Sequence, residues 1–407
     1  MKSLVVALEI IICLGWTSLK AQWMNATNQR SLWRGLLMSV KRQHYVPRVY
    51  LKNWETRVSS KSEPGKYFQG IYYYEKDDLG TGDGKNKNSV LWESRLYNID
   101  YELSFIIPSC PIIEEDYIAQ IDAKLTSRGV DAYFNGEVLK DKESLKQHFF
   151  KLDEWEFRHK EPPMKLAKRQ ATLSDIKSIH SYILENALDD VVEKKWQPIL
   201  DDFIHQMETT VPLNGIDEIR RIDESLVVDI IKMVIFLMCR NPDFDYLGIL
   251  PKILNIFQKP LKDITGTKNT VDVEDFLQIQ QNAAWLRELY NGLFEVPKGY
   301  FYTMKTTAQS TFQMILFKTW ENQGSFITSD KPAFLHDLLV EATNNNAIYC
   351  PLTPDYLVMI TKGEKHSLRD VNFRMANNDL IKKFNRMILS HANKAIVSDY
   401  KHLGYLL

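Results

Sequence analysis

The chain has 407 residues with 51 basic and 52 acidic side chains, so no global field argues for a nucleic-acid or membrane partner. Hydrophobic residues make up 44% and charged residues 25%, which excludes disordered and fibrous classes. The four cysteines, Cys13, Cys110, Cys239 and Cys350, are far apart with no CxxC pair; that argues against a cysteine zinc site and for a reducing compartment.

Lys2 precedes an apolar run over residues 4–16, and Ser18-Leu19-Lys20-Ala21 outlines the end of a secretory signal. Glu9 inside the run and the bulk of Leu19 oppose that reading, and the run is short for a bilayer span. Met38-Ser39-Val40-Lys41 also reads as a natural protein start. Residues 1–37 are therefore a signal-like segment, a mis-annotated upstream extension or a retained anchor. Residues 38–407 read as a single α+β domain. A start at Met38 implies a cytoplasmic protein; a genuine signal over residues 1–21 implies a secreted or periplasmic one.

The segment 43–51 is the densest in chemistry. Gln43, His44, Tyr45 and Arg48 stand ahead of a short helix with Pro47 at its first position, where a missing N–H costs nothing. Val49, Tyr50 and Trp54 supply that helix's apolar face. Residues 67–75, aromatic and β-branched, predict a strand. Gly80, Gly82 and Gly84 predict an exposed loop over 76–89, followed by a second strand over 90–99. The spacing of Gly80 to Lys85 does not fit a phosphate loop, and Asn86 stands where Ser or Thr would bind magnesium.

Residues 114–128 predict a helix with Ile118, Ile121 and Leu125 on one side; residues 129–165 show no clear pattern. From Leu173 apolar residues recur at three and four through Ile176, Leu184, Leu188, Trp196, Leu200, Phe203 and Met207, with Ser174 as the N-cap and Pro198 as a kink or break. His180 and His205 along this helix read as surface or boundary histidines rather than metal ligands, and Glu193-Lys194-Lys195 as a solvated run. Residues 224–240 are apolar almost all round, a central buried helix ending at Arg240-Asn241-Pro242. Further helices are expected over 250–258 and 273–293, strands over 312–318, 325–328, 347–350 and 356–360, and a last helix over 378–391. A helical middle between N-terminal strands and a C-terminal mixed or antiparallel sheet is an α+β arrangement.

Three polar clusters stand out: Gln43-His44-Tyr45 with Arg48, Thr328-Ser329-Asp330, and the strand end Tyr349-Cys350-Pro351-Leu352-Thr353-Pro354-Asp355; Asn385-Arg386 is a fourth. The run Gln43 to Leu51, with Trp54 where a phenylalanine is usual, and Phe326-Ile327-Thr328-Ser329-Asp330-Lys331-Pro332 together resemble domain-of-unknown-function family 4238 (DUF4238), the QHYVP/FITSDxP proteins. Arg240-Asn241-Pro242 resembles the family's RTP element with Asn241 in place of threonine. The resemblance runs from about Lys41 to the C-terminus. It implies an intracellular bacterial protein, and it carries no reaction.

The chemistry therefore rests on side chains. His44 titrates near neutrality and can move a proton. Asp330 can orient His44, bind a cation or act as a base. Arg48 offers a fork for an anion, and Thr328 and Ser329 offer hydroxyl donors, with Gln43, Tyr45 and Asn385 completing the ligand-binding set. If the first two clusters meet, the site suits a nucleotide, a nucleic-acid end or a phosphorylated small molecule, with hydrolysis conceivable. The alternative is a non-enzymatic interaction module, for instance in a stress or phage-defence system, in which these residues only hold the fold. No metal is expected: there is no HExxH motif and no His/Cys zinc cluster. Cofactor and oligomeric state are undetermined by the sequence.

Overall fold

The computed structural model describes residues 42–60, 63, 65–94, 96–97, 111–161, 166–179, 183–212, 218–242, 273–321, 323–337, 346–363 and 367–407. Residues 1–37, Met38, Cys13, Cys110, His180 and the helix expected over 250–258 lie outside the described residues. The fold is α+β. The chain divides into two compact units. The larger contains Arg42–Leu96, Leu184–Phe244 and Asn291–Leu407; the smaller contains Tyr97–Ile183 and Asp245–Tyr290, together with Met1–Lys41. No helix among the described residues is long and apolar enough to cross a membrane.

In chain order the strands are β1 (Arg42–His44), β2 (Thr56–Ser59), β3 (Tyr67–Glu75), β4 (Asp78–Lys85), β5 (Trp92–Ser94), β6 (Val130–Phe134), β7 (Glu137–Val138), β8 (Glu156–His159), β9 (Glu218–Arg221), β10 (Phe312–Thr319), β11 (Thr328–Ser329), β12 (Phe334–Asp337), β13 (Asn346–Pro351), β14 (Tyr356–Lys362), β15 (Asp370–Ala376) and β16 (Ala395–Ser398). In the smaller unit β7-β6-β8 form an antiparallel sheet beside the helix Pro111–Ser127, whose Ile118, Ile121 and Leu125 are buried as its spacing requires.

The larger unit holds a six-stranded sheet in the order β12-β13-β14-β10-β15-β9, antiparallel except for the β10–β15 pair. A second sheet runs β11-β16-β3-β2, with β4 also on β3, and β1 pairs with β5. The helix Asn378–His391 contributes Ile381, Phe384 and Ile388 to one core with Ile315, Phe317 and Leu357 of the first sheet and Tyr74 and Ile396 of the second. Each such side chain stabilises the fold by roughly 1.5–3 kcal/mol relative to exposure. The helix Glu224–Cys239 is buried nearly all round, and Phe236 meets Phe301 of the helix Gly299–Thr311 with ring centroids 4.4 Å apart.

Several expectations change. The glycine stretch is strand β4, not a loop: Tyr72 pairs with Gly84 and Tyr73 with Asp83. A Cβ at Gly82 would lie 2.5 Å from the Tyr74 ring, and one at Gly84 would lie 2.9 Å from the Ser59 carbonyl. These glycines leave room for tyrosine rings and the neighbouring strand rather than making turns. The strand expected over 90–99 is short, and Leu91 just before it has φ +53. Ser174 is not an N-cap. The helix Arg169–Ser178 starts earlier, where Arg169 donates to the carbonyls of Trp155 and Asp153, so a tertiary anchor replaces the cap. Pro198 lies inside the helix Lys194–Thr209, and the turn before it, residues 189–193, is π-helical, a local rearrangement of the ladder just ahead of the proline.

Candidate functional site

The whole candidate site belongs to the larger unit. Gln43 and His44 are strand residues of β1, paired with Glu93 and Trp92. Pro47 caps the helix Arg48–Leu51 rather than opening it, and its carbonyl accepts the Leu51 N–H at 3.1 Å. Gln43 is fully buried, Tyr45 and His44 nearly so, and Arg48 is exposed. Tyr45 donates its backbone N–H to Leu91 O at 3.2 Å. His44 Nε2 lies 3.3 Å from the Asn88 carbonyl. Burial, reinforced by the Arg48 guanidinium and by Arg240, takes the His44 pKa from 6.5 to about 4; the Asn88 contact and Glu193 offset this in part. The ring is therefore neutral at pH 7 and cannot itself supply positive charge to an anion.

The first two sequence clusters come together through a third segment. At the end of the helix Glu224–Cys239, the buried Arg240 donates from Nη2 to the His44 carbonyl at 2.6 Å and from Nη1 to Glu193 Oε1 at 2.7 Å. The next residue, Asn241, donates to the Asp330 carbonyl at 2.8 Å. Glu193 is thus not part of a solvated run: its side chain is 12% exposed and paired with a guanidinium 3% exposed. A buried ion pair such as this is kept only when both partners stay; losing one leaves an uncompensated charge.

Tyr50 of the short helix and Trp54 of the 3-10 turn that follows it also reach across the unit. Tyr50 Oη sits 2.7 Å from Thr328 Oγ1 and donates to the Pro351 carbonyl at 2.7 Å. Trp54 Nε1 donates to Phe326 O at 3.0 Å, and Asn53 donates to Leu352 O at 3.1 Å. The third cluster is therefore joined through the carbonyls of Pro351 and Leu352. Burial pushes the Tyr50 hydroxyl and the Cys350 thiol well above their ordinary values, so neither ionises near neutrality.

The Thr328–Asp330 corner is tightly bonded. Asp330 Oδ1 accepts the Asn393 N–H at 2.9 Å, and Oδ2 accepts the Lys394 N–H at 2.7 Å. Burial raises the Asp330 pKa although these N–H groups favour the carboxylate. Ser329 Oγ donates to the Lys331 carbonyl and accepts the Lys331 N–H, the local bonding expected of a hydroxyl before a proline turn. Asn385 accepts the Ile327 N–H at 3.1 Å and donates to the carbonyls of Ser325 and Leu406, each at 2.9 Å.

Arg240, Asn241, Glu193, Tyr50 and Trp54 carry these links together with Asn53, although as sequence the first five read as a helix end, a solvated run and an apolar face. The available signal was polarity in the wrong place: an arginine and an asparagine directly after the unbroken apolar run Met233–Cys239. Among the described residues, no group of three or more His, Cys, Asp or Glu side chains is arranged to hold a metal ion.

A family model described as a protein of unknown function, DUF4238, matches residues 42–402, most of the chain. No curated protein and no solved structure matches.

Proposed function

We propose, for a chain that belongs to the DUF4238 family of proteins of unknown function, that the larger unit binds an anionic phosphate-bearing ligand over the Gln43–Arg48 segment. The ligand class is a nucleotide, a nucleic-acid end or a phosphorylated small molecule. Arg48 supplies the exposed fork for the anion. His44 is the proton-handling group. Asp330, Thr328, Ser329 and Asn385 hold the frame against which His44 is set. The observation that carries the reading is convergence: Arg240 grips the His44 carbonyl while its neighbour Asn241 grips the Asp330 carbonyl.

The His44 environment gives the chemistry a direction. A neutral imidazole beside Arg48 is a weak base. A bound phosphate would offset Arg48 and Arg240 and raise the His44 pKa toward neutrality, where it can accept a proton from an attacking water. Hydrolysis is the reaction class this supports. Cys239 and Cys350 are buried thiols outside any disulfide, which fits a reducing, cytoplasmic setting.

Titration of the full-length chain with ATP, pyrophosphate and a 5′-phosphorylated oligonucleotide, followed by the His44 ring signals in NMR, tests the reading. The expected result is a rise in the His44 pKa with at least one of them, lost in Arg48→Ala. A ring that ignores all three at saturation removes the site.

A second reading is favoured by the saturation of the Asp330 corner, whose carboxylate and neighbouring hydroxyl bond to backbone. On it the converging segments form a clasp inside a non-enzymatic interaction module, as in a stress or phage-defence system. His44→Ala would then leave cellular function intact.

A further inference from the structure

Strands β1 and β5 form a two-stranded ribbon that leads into the helix of Arg48. Its register sets Arg42 opposite Ser94, Gln43 opposite Glu93 and His44 opposite Trp92. Alternate residues of a strand point to opposite faces, and directly opposed residues share a face. Arg42, His44 and Trp92 therefore lie on one face. The one acid in the ribbon, Glu93, lies on the other and pairs with Lys394 at 3.6 Å. On the first face the exposed Arg42 guanidinium stands 4.7 Å from the centroid of the half-buried Trp92 ring. The turn Lys87–Ser89 positions both rings of this face. Trp92 Nε1 donates to the Ser89 carbonyl at 3.1 Å, and the preceding carbonyl, that of Asn88, lies 3.3 Å from His44 Nε2. The turn is itself held: Asn86 Oδ1 accepts the Asn88 N–H at 2.9 Å, and Lys87 pairs with Glu55 at 2.6 Å.

We propose that the ligand of this site is a phosphorylated nucleoside, with its base stacked on the Arg42 guanidinium over Trp92 and its phosphate at Arg48. The proposal depends on the phosphate-binding reading of Arg48 and adds a base to it. A delocalised guanidinium plane backed by an indole is flat and weakly hydrated, and it is the chemistry that takes the face of a purine or pyrimidine. A phosphorylated sugar without a base has nothing to lay on that plane. His44 connects the two ends: its ring shares the face of Trp92, and the Arg48 charge reaches it. The face carries cationic and aromatic groups with no acid beside them, which suits a ligand that is anionic at one end and aromatic at the other.

Isothermal titration calorimetry of the full-length chain with AMP, and with ribose 5-phosphate as the same sugar and phosphate without the base, tests this. AMP is expected to bind more tightly by about 5- to 100-fold, the range of one stacked base. Arg42→Lys/Trp92→Leu keeps the charge and removes both planes, and it should bring AMP down to the ribose 5-phosphate value. Arg48→Ala should weaken both ligands alike. Circular dichroism establishes that each variant is folded, and Arg42→Lys decides alone if the double variant does not fold. A 5′-phosphorylated tetranucleotide separates the two sources of such a group: affinity above that of AMP marks a strand end, affinity below it a free nucleotide, and both keep the base platform. Equal affinity for AMP and ribose 5-phosphate, or an AMP advantage that survives in the folded variant, overturns the platform and leaves phosphate binding at Arg48 standing. Absence of binding by every ligand overturns both.

Discussion

The Gln43–Arg48 segment and the Thr328–Asp330 corner are both polar and buried, and both are tied to Arg240-Asn241, yet they differ in what their side chains do. At the corner, the carboxylate and the Ser329 hydroxyl are spent on backbone groups of the protein itself. At the segment, Arg240 grips the His44 main chain, while the ring meets the Asn88 carbonyl and feels the charges of exposed Arg48 and buried Arg240. Burial also moves the two titrating groups in opposite directions, His44 down and Asp330 up, since it disfavours whichever form is charged. Buried polarity alone does not mark a reactive residue: burial lowers the proton affinity of one group and raises that of the other.

Substitutions can break that contrast, the largest effect being expected furthest from the ligand. Asn385→Ala removes three buried hydrogen bonds and should lower the unfolding free energy by about 4 kcal/mol in urea. Asp330→Ala strands the N–H groups of Asn393 and Lys394 and should cost about 3 kcal/mol by the same measurement. A loss under 1 kcal/mol for either would mean the corner is not a clasp.

His44 should show itself in the pH dependence. Its folded pKa of about 4 lies below its ordinary 6.5, so the unfolded chain binds the extra proton first. Its contribution is complete above about pH 6.5 and is lost as pH falls toward 4, a change of about 2–3 kcal/mol. Asp330 works the other way: its raised pKa gives a contribution that is present at low pH and lost as pH rises through that value. Denaturation curves between pH 4 and 7 should flatten in His44→Gln. An unchanged slope would mean that His44 is not held neutral by the fold. The smallest expected effect is that of Arg48→Ala, within about 0.5 kcal/mol of wild type in stability because the side chain is exposed. Weakened ligand binding at unchanged stability would sharpen the line between segment and corner.

Long periodic elements were legible in the sequence: the buried helix Glu224–Cys239, the helix Asn378–His391 and strand β3 all fall where period and composition put them. Short elements were not. Strands β9 and β16 exist through pairing with distant partners, β15 and β3, and no local pattern announces a four-residue strand such as Glu218–Arg221. The glycines of β4 misled because glycine usually marks turns, whereas here an absent Cβ makes room for Tyr74. In the site, the polar clusters could be seen as residue types. The links between them could not, because Arg240 and Glu193 acquire meaning only when helices 47 residues apart in sequence meet.

The Tyr50–Thr328 hydrogen bond spans 278 residues of chain. At roughly 5–20 residues per second of synthesis, Tyr50 leaves the ribosome on the order of fifteen seconds to a minute before its partner exists. Strand β3 waits longer still for β16, as Tyr74 pairs with Ile396. During that interval the nascent chain displays an unpaired, tyrosine-rich edge of a kind that holdase chaperones shield. Yield in a heterologous host should therefore depend on chaperone supply and growth temperature more than on promoter strength.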